Sequence, residues 1–296
     1  MTFREGAEFG SRSGSTSRGG GRGGTIAAGG GIGSLLLIGL FLLLGGSPAD
    51  LGPMLGGEQS QQQPAQNGEA LPHCKTAQDG NEHADCRVQF TAESLDKVWA
   101  KVLPEQAGLE YTQPGLTVFE NTVQSGCGMA SSQTGPFYCP GDQGTYFDVS
   151  FFSMLEQLGG SDAPFAQMYI VAHEFGHHIQ QIEGTLKLSN YNQPGQDSNA
   201  VKVELQADCY AGLWAHHADD GEDALLEPLT DEQVQAAVDS ARAVGDDNIQ
   251  KRTQGEVRPD LWTHGSSEGR QKAFLTGYKT GSMSACDTLG RGVYKG

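Results

Sequence analysis

The chain is short of positive charge. Lysine and arginine number 19 against 36 aspartates and glutamates, a net charge of −17 over 296 residues. A nucleic-acid binder carries a basic patch as its electrostatic footprint, so that class is excluded. An acidic domain is soluble and is repelled by anionic headgroups. The sequence has no C-x-x-C pair, which argues against a cysteine-ligated zinc, and no internal repeat. It has no charged residue between Gly23 and Ala49. Glycine is abundant at 43 residues, and eight of them fall in the first 24 among serine and arginine, a composition that builds no core.

The uncharged stretch holds the apolar run Leu35 to Leu44 inside a 22-residue window, Thr25 to Gly46. That window is long enough for a helix to cross the ~30 Å hydrocarbon layer. Arg4, Arg12, Arg18 and Arg22 precede it, and basic residues keep that end in the cytoplasm. The expectation is a disordered cytoplasmic tail over 1–24, a transmembrane helix over 25–46, and the remainder extracellular or periplasmic. A cleaved signal peptide, with Ser47-Pro48-Ala49 as its cleavage site, is the alternative, and it exports the remainder too. Residues 47–70, rich in Gln, Pro and Gly, read as a flexible linker. One domain over 71–296 remains, large enough for a core of its own.

Pattern and caps give the coarse structure of that domain. Thr91 to Lys101 reads as a helix with Thr91 as N-cap. Leu116 to Phe119 and Gly144 to Phe152 read as strands. Pro164 opens a helix that runs to Glu183 and stops at Gly184. Further helices are expected after Asp197-Ser198-Asn199 to about His217, from Thr230 to Val244 with Thr230 and Gln233 as a capping box, and from Ser266 or Ser267 to about Gly281. Helices outnumber strands, so the class is α+β, helix-rich with a small sheet.

The helix opened by Pro164 contains His173-Glu174-Phe175-Gly176-His177, an H-E-x-x-H pattern. Residues at i and i+4 stand one above the other on a helix face. His173 and His177 can therefore place two imidazole nitrogens on one metal ion, while Glu174 reaches a water activated by it. Tyr169, Ile170, Val171, Ala172, Phe175 and Ile179 make the helix apolar, and buried histidines and a glutamate need partners. A catalytic zinc takes three protein ligands and leaves one position open. The metzincin extension would need Gly at 180 and His at 183, and the chain has Gln180 and Glu183. The following helix offers Glu204 and Asp208 on one face. Glu204 can serve as third ligand and Asp208 can accept a hydrogen bond from the distal nitrogen of a ligand histidine. His216 and His217 are rival ligands about three turns on. His178 points away from His177 and reads as a core histidine. His264, Tyr210 and Tyr191 are candidate donors to the oxyanion of a tetrahedral intermediate.

These residues resemble a family. The stretch His173 to His178, the stretch Glu204-Leu205-Gln206-Ala207-Asp208-Cys209-Tyr210-Ala211-Gly212, the stretch Gly135-Pro136-Phe137-Tyr138-Cys139-Pro140 and the stretch Thr263 to Ser267 are together similar to the bacterial neutral zinc metallopeptidases that carry one N-terminal membrane segment. The E-x-x-x-D helix and the Thr-His with Arg270 after it are also similar to gluzincin-type membrane peptidases. The resemblance implies a zincin-like domain and zinc held by His173, His177 and Glu204. It also implies Glu174 as general base and a protein or peptide substrate. It favours His264 as the oxyanion donor. The function expected is a membrane-anchored zinc peptidase. A non-enzymatic exported module that keeps its zinc, and a zinc amidase acting on cell-wall peptides, are the alternatives.

Six cysteines in an oxidising compartment read as three disulfides. Sequence alone leaves the connectivity open. Proximity favours Cys74–Cys86 and Cys127–Cys139, each twelve positions apart, and then Cys209–Cys286.

Overall fold

The computed structural model describes residues 2–10, 12, 15–18 and 71–295. The expected transmembrane segment 25–46 and linker 47–70 lie outside the described residues. Among the described residues no helix is long and apolar enough to cross a membrane. The domain is α+β and helix-rich, with a small mixed sheet, as its sequence pattern requires.

In chain order the elements are β1 (Ser15–Arg18), α1 (Ala77–Glu82), α2 (Ala84–Ala107), β2 (Gly115–Glu120), β3 (Thr122–Ser125), β4 (Gly128–Ser131), β5 (Phe137–Cys139) and β6 (Gly144–Asp148). The helices α3 (Phe151–Gln157), α4 (Pro164–Glu183), α5 (Asn199–His217), α6 (Asp231–Ala243), α7 (Asp246–Thr253) and α8 (Ser267–Thr280) follow. The main sheet has the order β1-β2-β6-β5. β1, β2 and β6 run parallel, with Val118 opposite Phe147, and β5 returns antiparallel with Tyr138 opposite Thr145. β3 and β4 form a separate hairpin.

The long central helix α4 forms where its punctuation dictates. Pro164 occupies the first turn, and Gly184 ends the helix at φ 73°, a left-handed conformation natural to glycine. The α5 helix is capped by Ser198, whose side chain accepts from the Val201 N–H. The capping box of Thr230 and Gln233 opens α6, and Ser266 caps α8 by accepting from Gly269.

Two expected elements change. The helix placed at Thr91–Lys101 spans Ala84–Ala107 instead. Thr91 lies inside it, buried, with its hydroxyl donating to the Arg87 carbonyl at 2.7 Å. A hydroxyl that satisfies itself on the preceding turn is compatible with a helix interior. The strand expected over 144–152 ends at Asp148, whose carboxylate accepts from the Ser150 N–H at 2.8 Å. That local bond turns the chain, and Phe151-Phe152 then open α3.

The expectation of a disordered tail over 1–24 is corrected at the described residues. Phe3 is fully buried and meets the edges of Phe9 and Phe90, while Phe9 stacks on Phe90. The Arg4 N–H donates to the Leu225 carbonyl at 2.9 Å, and the Gly10 N–H donates to the Glu93 carboxylate. Arg12 is buried against Asp96 and the Pro114 carbonyl, 5.3 Å above the ring of Phe175. β1 then extends the sheet beside β2. A glycine-rich composition hid three strong anchors, two phenylalanines and an arginine with a buried carboxylate to meet. While residues 2–18 are docked, both flanks of segment 25–46 belong to one body. A single membrane crossing between them therefore excludes the docked state.

The cysteines pair as Cys74–Cys86, Cys127–Cys139 and Cys209–Cys286. The third ties α5 to the C-terminal segment.

Phe3→Ala removes a fully buried ring and is expected to cost ~3–5 kcal/mol in urea unfolding. An unchanged midpoint would mean that the N-terminal segment does not dock.

Candidate metal centre

Helices α4 and α5 pack at short range because their contact residues are small. A Cβ placed on Gly176 would stand 3.0 Å from the Ala207 Cα and 3.0 Å from its carbonyl oxygen. Glycine inside H-E-x-x-H is thus a packing requirement. It lets the His173–His177 face approach the Glu204–Asp208 face. On its other side α5 meets α8 as closely, because a Cβ on Gly212 would collide with the Phe274 carbonyl and one on Gly277 with the Cys209 carbonyl.

The result is a buried cluster. The ligand-capable atoms of His173, His177 and Glu204 all lie within 4.8 Å of one another. His173 Nε2 stands 3.3 Å from one Glu204 oxygen and His177 Nε2 stands 3.7 Å from the other. His173 Nε2 and Glu204 Oε2 are buried without a hydrogen-bond partner. Buried polar atoms without partners are rare and ask for a reason. Three donor atoms converging on one point, two of them otherwise orphaned, suit a divalent cation such as zinc with imidazole and carboxylate ligands. Among the described residues the other close group of donors is His73, Cys74, Asp85 and Cys86, whose sulfurs are spent in a disulfide.

Each of the two histidines is oriented through its far nitrogen. His173 Nδ1 bonds the Asp208 carboxylate at 2.8 Å. Asp208 is fully buried, and it also accepts from the Tyr169 hydroxyl at 2.6 Å and from Arg270 at 2.7 and 2.9 Å. Burial opposes its ionisation, but Arg270 and His173 outweigh that and hold the carboxyl below its usual range. Burial likewise opposes charge on His173, yet Asp208 and Glu204 raise it to about 9. On the other histidine, His177 Nδ1 bonds Gln180 Oε1 at 2.9 Å. The burial cost on Glu204 is overcome by the neighbouring histidines, and its carboxyl is held far below its usual range. Tyr191 donates to the same carboxylate at 3.2 Å.

Glu174 is buried beside this cluster, and the backbone N–H of Tyr138 on β5 hydrogen-bonds it. Burial raises its carboxyl above the ordinary value, partly offset by His177 and His173. A carboxylate moved up in this way is better matched to proton transfer near neutral pH. His264 reaches the region from the loop between α7 and α8. Its Nδ1 bonds Asp246 at 3.1 Å, and Asp246 also accepts from the backbone N–H groups of Thr263, His264 and Gly265. Its Nε2 is buried without a partner. Burial disfavours its charged form, while Asp246 and Glu204 raise it above the ordinary value.

The structure thus brings together His173, Glu174, His177, Glu204, Asp208, Tyr191 and His264. It takes others away. Tyr210 bonds Glu183 instead, and His216 and His217 bond the carbonyls of Tyr278 and Gly281. His178 is a buried core histidine, bonded to the Thr112 carbonyl at 2.6 Å and the Tyr138 hydroxyl at 3.1 Å. Tyr138, Tyr169, Gln180 and Asp246 escaped sequence reasoning. Tyr138 sits in a stretch that carried the family resemblance, and Gln180 was seen only as a departure from another class. Tyr169 and Asp246 carry no local signal.

Two imidazoles on one helix, packed against a carboxylate on the next, form a donor set of the kind that holds zinc. The chain belongs to the family described as "putative neutral zinc metallopeptidase", which it matches over residues 4–289. It is 46% identical over 225 residues to an uncharacterised protein of Mycobacterium tuberculosis, covering 74% of this chain and 75% of that one. It is 34% identical over 270 residues to the uncharacterised protein YpfJ of Escherichia coli, covering 88% of each. No solved structure matches it.

Burial lowers His178 to about 4, against ~6.5 in an unfolded chain. Between those values the unfolded state binds the extra proton, so stability is lost as pH falls through that window. A loss of roughly 3 kcal/mol between pH ~6.5 and ~4 is expected in the wild type. It should be absent from the His178→Gln variant when urea curves are compared. Parallel pH dependences in the two proteins would overturn the assignment.

Proposed function

We propose that the protein is a zinc-dependent peptidase that hydrolyses peptide bonds of protein or peptide substrates. The convergence of His173, His177 and Glu204 beside a buried carboxylate that is free of ligand duty carries the reading. A zinc kept only for stability needs no Glu174. A zinc ion held by His173, His177 and Glu204 would supply Lewis acidity, lowering the pKa of a water and polarising a carbonyl.

The chain's own groups do the rest. Glu174, steadied by the Tyr138 N–H, takes a proton from the attacking water and returns it to the leaving amine. His264, turned by Asp246, offers Nε2–H in its protonated form to the oxyanion that develops on the carbonyl. Asp208 fixes His173, and Arg270 and Tyr169 keep Asp208 ionised and in place. The apolar walls of α4 and α5 exclude bulk water and strengthen each of these electrostatic terms.

The location proposed for the domain is extracellular or periplasmic, and three disulfides support it. Attachment to the membrane through segment 25–46 is proposed for an undocked form of the chain, because one crossing would separate residues 2–18 from the domain.

Two variants test the site. Glu174→Gln is expected to retain one zinc per chain by mass spectrometry and to lose at least ~100-fold of peptide cleavage. Glu204→Gln is expected to lose both zinc and cleavage. A peptide library spanning proteins and wall peptides provides the substrate. Cleavage by purified Glu174→Gln at the wild-type rate would end the proposal.

A further inference from the structure

The end of α4 and the C-terminal segment share an unbroken line of hydrogen bonds that starts at a ligand histidine. His177 Nδ1 bonds Gln180 Oε1 at 2.9 Å. The Gln180 side-chain nitrogen donates to the Val203 carbonyl at 2.7 Å and to Gln206 Oε1 at 3.0 Å. The Gln206 nitrogen donates to the Cys286 carbonyl and to the Tyr294 hydroxyl, each at 3.2 Å. The Tyr294 and Tyr210 hydroxyls are 3.0 Å apart, and Tyr210 bonds both oxygens of Glu183 at 3.0 Å.

The direction of the links through the glutamine amides follows from groups that have only one role. Backbone carbonyls can only accept, so Val203 and Cys286 fix which end of each glutamine amide carries the hydrogens. Gln180 therefore presents oxygen to His177, and His177 must hold its proton on Nδ1 with the lone pair on Nε2. Gln206 donates to Tyr294, and the Tyr294 and Tyr210 hydroxyls, in contact with each other, both hydrogen-bond Glu183. The line thus runs from the metal centre to one carboxylate. Gln180 and Gln206 are fully buried, so the line is shielded from water.

We propose that Glu183 is a positioning residue for the metal centre. As the terminal acceptor of this line, it fixes and polarises His177 through Gln180, Gln206, Tyr294 and Tyr210. Successive hydrogen bonds of one sense polarise one another, and an anion at the far end makes the ligand imidazole a better electron donor. Protonation of Glu183 removes the negative charge from the end of the line and leaves its neutral carbonyl oxygen as a weaker acceptor. The proposal rests on the zinc reading of His173, His177 and Glu204.

The surroundings of Glu183 place that switch near neutral pH. Burial raises its carboxyl, and Tyr210 on α5, Tyr294 and Arg291 in the C-terminal segment and Thr185 just past α4 pull it back, leaving it at about 7. Arg291 is the one cation among these neighbours, and the tyrosines are neutral in this range.

The test is zinc affinity by chelator competition, on the full chain, at pH 6 and pH 8. The expected wild-type gain between the two exceeds that of Glu183→Gln by ~10-fold. At pH 6, where Glu183 is protonated, the two proteins should bind zinc alike. Tyr294→Phe leaves the carboxylate in place but removes the hydroxyl that joins Gln206 to Tyr210, and it is expected to lose the extra gain as well. Urea curves on each variant report folding separately. An equal gain in wild type and both variants overturns the proposal, as does a deficit of the same size at pH 6 and pH 8, which marks a purely structural role. A wild type that binds no zinc fails the zinc reading itself and is recognised before any variant is compared.

Discussion

The molecule depends on how closely α5 lies between α4 and α8. Gly176 faces Ala207 on one side, and Gly212 and Gly277 stand against opposing backbone on the other. Helix axes come that near only where side chains are absent or minimal. The short distance sets Glu204 opposite His173 and His177 and sets Asp208 under His173. A methyl group added at Gly176 would meet the Ala207 backbone at 3.0 Å and press the two faces apart.

The second constraint is charge in a dry interior. Glu174, Glu204, Asp208, His173, His264 and Arg270 are all buried. Isolated, each would carry a heavy desolvation cost. Together they are arranged so that carboxylates alternate with imidazoles and the guanidinium. Asp208 and Arg270 stabilise each other and lock His173, while Asp246 collects three backbone N–H groups and locks His264. Different elements thus orient the imidazoles, through α5 and α8 for His173 and through α7 for His264. Three of the orphaned buried atoms, His173 Nε2, Glu204 Oε2 and His264 Nε2, belong to the residues of the proposed site.

Around this centre the chain is stapled at its ends. Cys209–Cys286 holds the C-terminal segment on α5, and that segment delivers Tyr294 to the buried line of hydrogen bonds. Cys127–Cys139 holds the β3–β4 hairpin on β5, the strand whose Tyr138 N–H meets Glu174. The N-terminal residues close a further side by placing Phe3 on Phe90 and Arg12 over Phe175, the residue between Glu174 and Gly176. The surface of the core thus runs from the first described residues to the last.

Much of the metal site was written in local sequence. The i, i+4 spacing of His173 and His177, the E-x-x-x-D of Glu204 and Asp208, and the stops at Gly184 and Gly281 all follow from helix geometry, which repeats every few residues and is readable without a partner. The three disulfide pairs are those that proximity in the sequence favoured, although the sequence alone left the connectivity open. What only the tertiary structure decided is what lies between distant segments. Tyr138, Asp246 and Gln206 acquire their roles from helix packing that no short window contains. Tyr210, a candidate for the oxyanion, was turned to Glu183 by the same packing. The N-terminal residues read as solvated chain because composition averages over a window, whereas docking needs only Phe3, Phe9 and Arg12 at the right places on a surface that exists after folding.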